Sequence, residues 1–309
     1  MNACSYTHLI LSGGGIQGIG YIGVYRYLKQ YNLMESVRHI VGCSIGSLCA
    51  YLYALDFTVE EMESFVLSFS QDPKITEFDI EGLLLMYDNN GIYSNERFKQ
   101  ILIDAFYKRY HIKIESITFQ EFSKMTGKNI YITAYQLSSL TQKVFSNIHT
   151  PSLDVFTAIL ASMAIPFLFQ PIIIDKEYYI DNGVSNALPI DCLTYQSTDK
   201  VLALYLTMAK KLSSDSLKTP INYFIRVLHA IVFSNTTEEV YLKIHEDIDN
   251  IDIIQFKDNP LPFIPIQYNE TKINMSLSTE LYEEGIYYGY NLIYQYLKNK
   301  SKGSLSQTS

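Results

Sequence analysis

The chain has 309 residues, of which 48% are hydrophobic and 18% are charged, so it can bury one large core. Its formal net charge of −8, with no clustered run of Lys and Arg, argues against nucleic acid as a partner. The four cysteines form no CxxC pair, so the sequence predicts no structural zinc site and no disulfide scaffold, and we expect no metal and no cofactor.

Two segments bear on the location of the protein. Residues 1–15 lack a basic segment and a small-residue cleavage site, so we expect no signal peptide. Residues 155–174 carry no charge, but Pro166 and Pro171 interrupt them and a mostly acidic flank follows. We therefore expect a buried helix, a loop and a buried strand there rather than a transmembrane helix. These features predict a cytoplasmic protein whose membrane contact is at most peripheral.

The N-terminal half alternates strand and helix patterns. An apolar run at 7–11, a helical pattern at 19–30, a second apolar run at 38–43 and a helical pattern at 45–55 follow one another. This βαβα order predicts a parallel sheet with helices on its faces. Residues 59–110 are mainly helical in pattern and insert between strands, with Thr58 as a predicted N-cap and Glu61 completing a capping box.

Strand patterns return in the second half, at 129–137 and 141–147 and then in the runs PIIID, EYYID and KVLALYLTM. Beyond Met208, helical patterns at 219–234, 236–248 and 276–298 leave DIIQF as a further strand. We expect one domain over residues 1–300, with a motif-bearing core at 7–207 and a helical part at 208–300. The polar tail at 301–309 is predicted to be disordered.

The glycines after the first strand have two interpretations. Gly13, Gly15 and Gly18 satisfy the dinucleotide-binding pattern GxGxxG, but the second strand ends in Gly42-Cys43-Ser44 without an acidic residue to bind a ribose. Consecutive glycines at a helix N-terminus also expose N–H groups that stabilise a developing oxyanion. The second interpretation suits acyl transfer, and nucleotide binding is kept as an alternative.

A GxSxG pentapeptide, Gly42-Cys43-Ser44-Ile45-Gly46, lies between an apolar strand and an Ala/Leu-rich helix. This is the context of a nucleophile elbow, in which glycines allow a sharp turn. The serine hydroxyl projects from the turn, and the N–H of Ile45 points the same way. The sequence therefore predicts Ser44 as a nucleophile.

The histidines offer no obvious base for Ser44. His8 and His39 fall in predicted strands, His111 follows a helix, and His229 and His245 fall in helical patterns, which does not suit a triad histidine on a loop. Only His149 could lie in a short turn after a late strand. An α/β-hydrolase triad, with Asp181 as the acid member and His229 or His245 as the base, is nevertheless kept as an alternative.

Asp181 is the other candidate base. It ends an apolar strand, and Asn182-Gly183 follows as a tight turn that can present the carboxylate at the edge of the sheet. A carboxylate is a weak base unless burial raises its pKa, so this assignment requires an apolar cleft around Asp181.

Taken in order, these blocks resemble the patatin-like phospholipase family. The glycine-rich loop resembles residues 13–18, the GxSxG block resembles residues 42–46, and the family's Asp-Gly-Gly/Ala block with its following Asn and Pro resembles Asp181-Asn182-Gly183, Asn186 and Pro189. The segment ASMAIP at 161–166 matches as well. The resemblance covers residues 7 to about 207.

The resemblance implies a three-layer α/β/α fold with a central, mostly parallel sheet. It implies a Ser44–Asp181 dyad without histidine that acts on glycerolipid acyl esters at a membrane or micelle surface, as a phospholipase A or lysophospholipase. The implied oxyanion hole is formed at Gly13, Gly14, Gly15 and Ile45. The residues implied to support the motifs are Gly18, Gly42, Gly46, Asn182 and Gly183.

Two positions depart from the family pattern. Gln17 stands where many members carry Arg, and Asn182 replaces the usual glycine, although Asn tolerates a left-handed backbone better than most residues. A catalytically silent lipid-binding or scaffold protein of the same fold is therefore kept as a further alternative. The sequence predicts no oligomeric state.

Overall fold

The computed structural model describes residues 5–78, 88–207, 223, 226, 227, 230, 250–257, 259–262, 264, 267–268 and 273–306. The strands are β1 (His8–Leu11), β2 (His39–Cys43), β3 (Glu77–Phe78), β4 (Gly91–Tyr93), β5 (Asn129–Gln136), β6 (Thr141–Ser146), β7 (Phe167–Phe169), β8 (Ile172–Ile174), β9 (Glu177–Asp181), β10 (Val201–Leu206), β11 (Ile251–Phe256), β12 (Gln267–Tyr268) and β13 (Ile273–Asn274). The α-helices are α1 (Gly20–Gln30), α2 (Ile45–Ala54), α3 (Val59–Ser70), α4 (Pro73–Thr76), α5 (Glu96–Tyr110), α6 (Phe119–Thr126), α7 (Val155–Met163) and α8 (Thr279–Ser306). Short 3₁₀ helices cover Gly15–Ile19, Asn182–Val184 and Ile190–Cys192.

A mixed eight-stranded sheet lies at the centre, with its strands in the order β11-β10-β1-β2-β5-β9-β8 and β6 paired to β5. The strands from β11 to β5 in this order are parallel, and β6, β8 and β9 pair antiparallel. Helices flank the sheet. The predicted α/β class with a mostly parallel central sheet is confirmed.

Three strands meet around the middle of β5. One edge of β5 pairs with β6 from Tyr131 onward. The other edge pairs with β2 as far as Thr133 and with β9 from Ala134 onward. Since β2 and β9 run in opposite directions along the same edge, their carboxyl ends face each other there. This pairing brings the turn after Cys43 close to the turn after Asp181.

Both faces of the sheet are buried, which explains why its strands are nearly continuous apolar runs. Leu9, Leu11 and Ile40 belong to the larger core, which includes α1 and α2. Ile10 and Val41 point to the opposite face, where the chain around Ile190 covers them.

The segment between β2 and β5 is largely helical, as predicted. The capping box of α3 is present, because the N–H of Glu61 donates to Oγ1 of Thr58 at 3.1 Å and the N–H of Thr58 donates to Glu61 at 2.9 Å. This reciprocal pair satisfies two N–H groups that a helix start would otherwise leave without acceptors.

The region from 155 to 174 forms α7, β7 and β8. The predicted buried helix is present, but β8 lies at the edge of the sheet and is not a buried strand, since Ile173 is 57% exposed. An edge strand turns part of its surface to solvent, which the apolar sequence did not reveal. Among the described helices none combines the length and the apolar composition needed to cross a membrane.

Helix α8 packs along α1. A Cβ at Gly289 would lie 1.9 Å from the carbonyl oxygen of Gly20, so glycine allows the two helices to approach this closely. The helix continues to Ser306 and therefore passes the predicted end at 298 and enters the predicted disordered tail. No proline interrupts the sequence there, so the backbone hydrogen bonds of the helix can continue. Residues 307–309, and most of the predicted helices at 219–234 and 236–248, lie outside the described residues.

Candidate active site

Ser44 lies in the turn between β2 and α2, in the strand–turn–helix context that the sequence predicts. Its backbone has φ 51° and ψ −126°, a conformation that a residue with a side chain rarely adopts. The turn is tightly packed, since a Cβ at Gly46 would lie 2.3 Å from the carbonyl oxygen of Leu11. Glycine at 46 is therefore required for α2 to start directly against β1.

Hydrogen bonds hold the backbone of Ser44 in this conformation. Its N–H donates to Oγ of Ser162 in α7 at 2.8 Å, and its carbonyl accepts from the N–H and the hydroxyl of Ser47. Ser162 is fully buried, and the sequence analysis gave it no role beyond its place in a matching block. The structure shows that it supports the turn.

Asp181 lies at the end of β9 and is 1% exposed. Its Oδ1 accepts from the N–H of Gly183 at 2.8 Å and lies 3.9 Å from Sγ of Cys43. Its Oδ2 is also buried and makes no hydrogen bond of normal geometry with any described residue. One carboxylate oxygen is therefore held in place, and the other remains available to accept a proton.

Burial raises the pKa of Asp181 to about 6, against the opposing effects of the Ser44 hydroxyl, the Gly183 N–H and the Cys43 thiol. The influence of Ser44 means that its hydroxyl lies close enough to stabilise the carboxylate, although the contact falls short of normal hydrogen-bond geometry. A carboxylate with a raised pKa is a stronger base than an exposed one. The apolar surroundings that the sequence argument required are present.

The glycine loop lies against this pair. A Cβ at Gly13 would be 3.2 Å from Cβ of Ser44, but the N–H of Gly13 donates to the carbonyl of Ala187 at 2.9 Å. The N–H groups of Gly14 and Gly15 donate to no described residue, and that of Ile45 belongs to the first turn of α2. Of the four predicted oxyanion donors, Gly13 therefore uses its N–H in a hydrogen bond to Ala187. The N–H groups of Gly14, Gly15 and Ile45 make no such bond with a described residue.

Gln17 is 3% exposed and makes a buried contact instead of facing the site. Its Nε2 donates to the carbonyl oxygen of Leu261 at 2.9 Å. This amide connects the 3₁₀ helix after the glycine loop to the C-terminal part of the chain.

Asn182 is fully buried, and its Nδ2 donates to Oε1 of Gln142 at 2.7 Å and to the carbonyl of Asn186 at 2.9 Å. It begins the 3₁₀ helix Asn182–Val184, and neither Asn182 nor Gly183 has a positive φ. The turn after Asp181 therefore needs no left-handed backbone, and asparagine fits where glycine was expected.

An apolar cavity opens beside Ser44. Residues from the glycine loop, α2, α3, α4, α5, α7 and β7 contribute to its walls. They are Gly15, Ile16, Ser44, Ile45, Phe69, Ser70, Ile75, Thr76, Phe98, Met163, Ile165, Leu168 and Phe169, with Ile264 and Met275 from the C-terminal part. Such a cavity suits an apolar chain attached to a group that reacts at Ser44.

The described histidines lie away from this cavity. His8 and His39 are the first residues of β1 and β2, at the opposite end of these strands from Ser44. Their rings stack with centroids 4.6 Å apart. His149 lies 3.0 Å from the hydroxyl of Ser146. His229 and His245 lie outside the described residues.

No group of three His, Cys, Asp or Glu side chains within the described ranges could hold a metal ion. The acidic residue that a ribose would need at the end of β2 is absent from the sequence, which has Gly42-Cys43-Ser44 there. The site thus contains a serine, a buried carboxylate, backbone N–H groups of the glycine loop without an acceptor among the described residues, and an apolar cavity.

Known proteins are similar to this chain over more than half of its length. A family model for patatin-like phospholipase matches residues 9–194. The probable lipid hydrolase 463L of invertebrate iridescent virus 6 is 29% identical over 189 residues, which are 60% of this chain and 62% of the viral protein. Triacylglycerol lipase 4 of Saccharomyces cerevisiae is 25% identical over 226 residues, which are 64% of this chain and 24% of the lipase. The chain thus spans less than two thirds of the length of these two relatives.

A solved structure shares the fold. VipD from Legionella pneumophila matches with a TM-score of 0.57 and 16% sequence identity, over 96% of this chain and 67% of that one. At this identity the likeness shows the architecture alone.

Proposed function

This chain belongs to the patatin-like phospholipase family, and on that premise we propose that it hydrolyses acyl esters of glycerolipids with Ser44 as nucleophile and Asp181 as base. The observation that carries the proposal is the buried carboxylate of Asp181. Its Oδ2 has no partner of normal geometry among the described residues, and the Ser44 hydroxyl lies close enough to the carboxylate to stabilise its charged form.

The apolar cavity supports a lipid substrate. Phe69, Phe98 and Phe169 line it together with Ser44. An acyl chain buried here would place its ester carbonyl beside the hydroxyl, and the polar remainder of the lipid would stay at the lipid–water interface. We therefore expect the protein to act at a membrane or micelle surface through peripheral contact.

In the first step, Oγ of Ser44 attacks the ester carbonyl while its proton passes to Oδ2 of Asp181. The negative charge on the former carbonyl oxygen is stabilised by the N–H groups of Gly14, Gly15 and Ile45. Each such donor stabilises a transition state by roughly 3–4 kcal/mol. Helix N-termini at Gly15 and Ile45 add their partial positive charges.

In the second step, the bond to the leaving alcohol breaks, and the protonated Asp181 returns its proton to that oxygen. An acyl ester of Ser44 remains. Water then attacks this ester with Asp181 again as the base, which releases the fatty acid and restores both side chains.

The test is product analysis on purified protein incubated with a mixture of phospholipids and triacylglycerol. We expect free fatty acid from the wild type, and a loss of about a thousandfold or more in Ser44→Ala and Asp181→Asn, since both residues act as one unit. A fluorophosphonate probe should label the wild type and not Ser44→Ala.

Each alternative has its own outcome. Activity that survives Asp181→Asn but is lost with His229→Asn or His245→Asn would establish a histidine triad in place of the dyad. Normal folding without probe labelling and without lipid hydrolysis would favour a catalytically silent lipid-binding or scaffold protein of the same fold. Equal hydrolysis by all variants would mean that the reaction takes place elsewhere.

A further inference from the structure

Two cations lie side by side where β2 and β5 begin. The register pairs His39 with Asn129, and the N–H of Asn129 donates to the carbonyl of Arg38 at 2.8 Å. Arg38 and Lys128, the residues just before these two strands, are therefore neighbours. Because the strands are parallel, this pair lies at their amino-terminal ends, whereas Ser44 follows the carboxyl end of β2.

The two side chains share one concave cavity. Its walls include Tyr25 and Tyr53 together with Lys29 and Asp56. The hydroxyls of both tyrosines are already bonded to backbone carbonyls, so the aromatic rings form a rigid wall. The cavity is separate from the apolar one beside Ser44, and no residue lines both.

One of the two carboxylates at this cavity, Asp56, is already paired. Lys29 lies 2.6 Å from Oδ1 of Asp56, and Arg109 lies 3.6 Å from Oδ2 of the same carboxylate. Lys128 forms no ion pair and no hydrogen bond through its ammonium group with a described residue. The guanidinium of Arg38 donates, among the described residues, only to the carbonyls of Glu35 and Val37.

The balance of charge is positive. Glu35 is the other carboxylate at the cavity, and it forms no ion pair with any residue in the described ranges. Lys29, Arg38, Arg109 and Lys128 thus face two carboxylates, in a chain whose net charge is −8. Like charges held side by side repel each other, and a bound anion would remove that repulsion.

The surplus of positive charge at the cavity acts on the pKa of the Lys128 ammonium group. Burial lowers its pKa, Asp56 raises it, and Lys29, Arg38 and Arg109 lower it further. The group is therefore half-buried among cations without a carboxylate of its own.

We infer that this cavity is a binding site for the phosphate group of an anionic ligand. A phosphate carries close to two negative charges and several acceptor oxygens, so it can take hydrogen bonds from the guanidinium of Arg38 and from the ammonium of Lys128 together. A carboxylate would neutralise only one of them. The inference is independent of the reaction proposed for Ser44.

The test is calorimetric titration of the full chain with inorganic pyrophosphate in a buffer free of phosphate at constant ionic strength. We expect saturable binding, weakened roughly tenfold or more in Lys128→Met, because a charge-assisted hydrogen bond is lost. Lys113→Met, which removes the same charge from an exposed loop, should bind as the wild type does. Glu35→Gln should bind more tightly, since it removes a competing carboxylate.

Two further measurements complete the test. Co-sedimentation with vesicles of phosphatidylcholine and phosphatidic acid, compared with phosphatidylcholine alone, separates a lipid headgroup from a free phosphate. Binding in either arm that depends on Lys128 supports the site. Absence of binding in both arms, or equal binding by Lys128→Met and Lys113→Met, overturns it. The unfolding midpoint of Lys128→Met without ligand checks that the variant folds.

Discussion

The thiol of Cys43 faces the carboxylate of Asp181, with Sγ 3.9 Å from Oδ1. The residue before the proposed nucleophile thus contacts the proposed base. Oδ1 has two donors, the thiol and the N–H of Gly183, and Oδ2 has none of normal geometry among the described residues. In the proposed mechanism, Oδ2 is therefore the oxygen that accepts the proton, and we expect Cys43 to adjust the basicity of Asp181.

The first prediction concerns Cys43→Ala. Because the thiol lowers the pKa of Asp181, we expect its removal to move the acidic limb of the kcat/KM profile to higher pH by a few tenths of a unit, about the effect of one weak donor. Cys49→Ala is the matched control, since Cys49 is equally buried but is not among the groups acting on Asp181. An unchanged limb in Cys43→Ala would contradict the proposed role of the thiol.

The second prediction concerns the wild type. A base must be ionised to act, so kcat/KM should fall as the pH drops through about 6, the pKa of Asp181. The measurement is the initial rate on a soluble short-chain ester across this range. A limb in the ordinary aspartate range near 3.8 would mean that Asp181 is not the base.

The third prediction concerns stability. The folded pKa of Asp181 lies above its ordinary value of 3.8, so ionisation of the buried carboxyl destabilises the fold above about 6, and this cost disappears below the ordinary value. Asp181→Asn should therefore raise the free energy of unfolding at neutral pH, by at most about 3 kcal/mol. Urea unfolding at neutral and acidic pH measures the difference, which should shrink towards acidic pH. A variant less stable at neutral pH would show that the charge is well compensated.

The fourth prediction concerns Ser162→Ala. The change leaves the N–H of Ser44 buried without its acceptor, which should destabilise the fold by about 1–3 kcal/mol. It should also slow fluorophosphonate labelling, because the strained turn at Ser44 loses a restraint. In Ser47→Ala the carbonyl of Ser44 keeps the N–H of Ser47, so a smaller effect is expected. Equal labelling rates in wild type and Ser162→Ala would remove the proposed link.

The fifth prediction concerns the cavity wall. Phe169 lines the cavity and packs edge-on against Phe98, with ring centroids 5.0 Å apart. Phe169→Ala should reduce kcat/KM for long-chain esters by roughly tenfold, because buried apolar area is lost. Short-chain esters serve as the internal control and should be hydrolysed at nearly the wild-type rate. A uniform loss over all chain lengths would instead indicate damage to the fold.

The local parts of the site could be predicted from the sequence. The strand–turn–helix around Ser44 and the position of Asp181 at a strand end follow from short patterns of apolar residues and glycines. Their proximity depends on the order in which β2 and β9 pair along one edge of β5, which no local pattern encodes.

Other features depend on contacts between distant segments. The hydrogen bond from Ser44 to Ser162 joins residues 118 positions apart, and the one from Gln17 to Leu261 joins residues 244 positions apart. Gly13 could be expected to offer its N–H to an oxyanion until the structure showed Ala187 accepting from it. The exposure of β8 likewise depends on its place at the edge of the sheet.

The close crossing of Gly289 over Gly20 determines how short this protein can be made. A fragment ending at residue 194, where the family match ends, would keep Ser44 and Asp181 but lose Leu261 and all of α8. The aromatic side of α1 that packs against α8, including Tyr27 against Tyr290 and Tyr294, would then meet water and favour aggregation. The stretch that carries the proposed catalytic residues therefore ends well before the last segment that packs against the core.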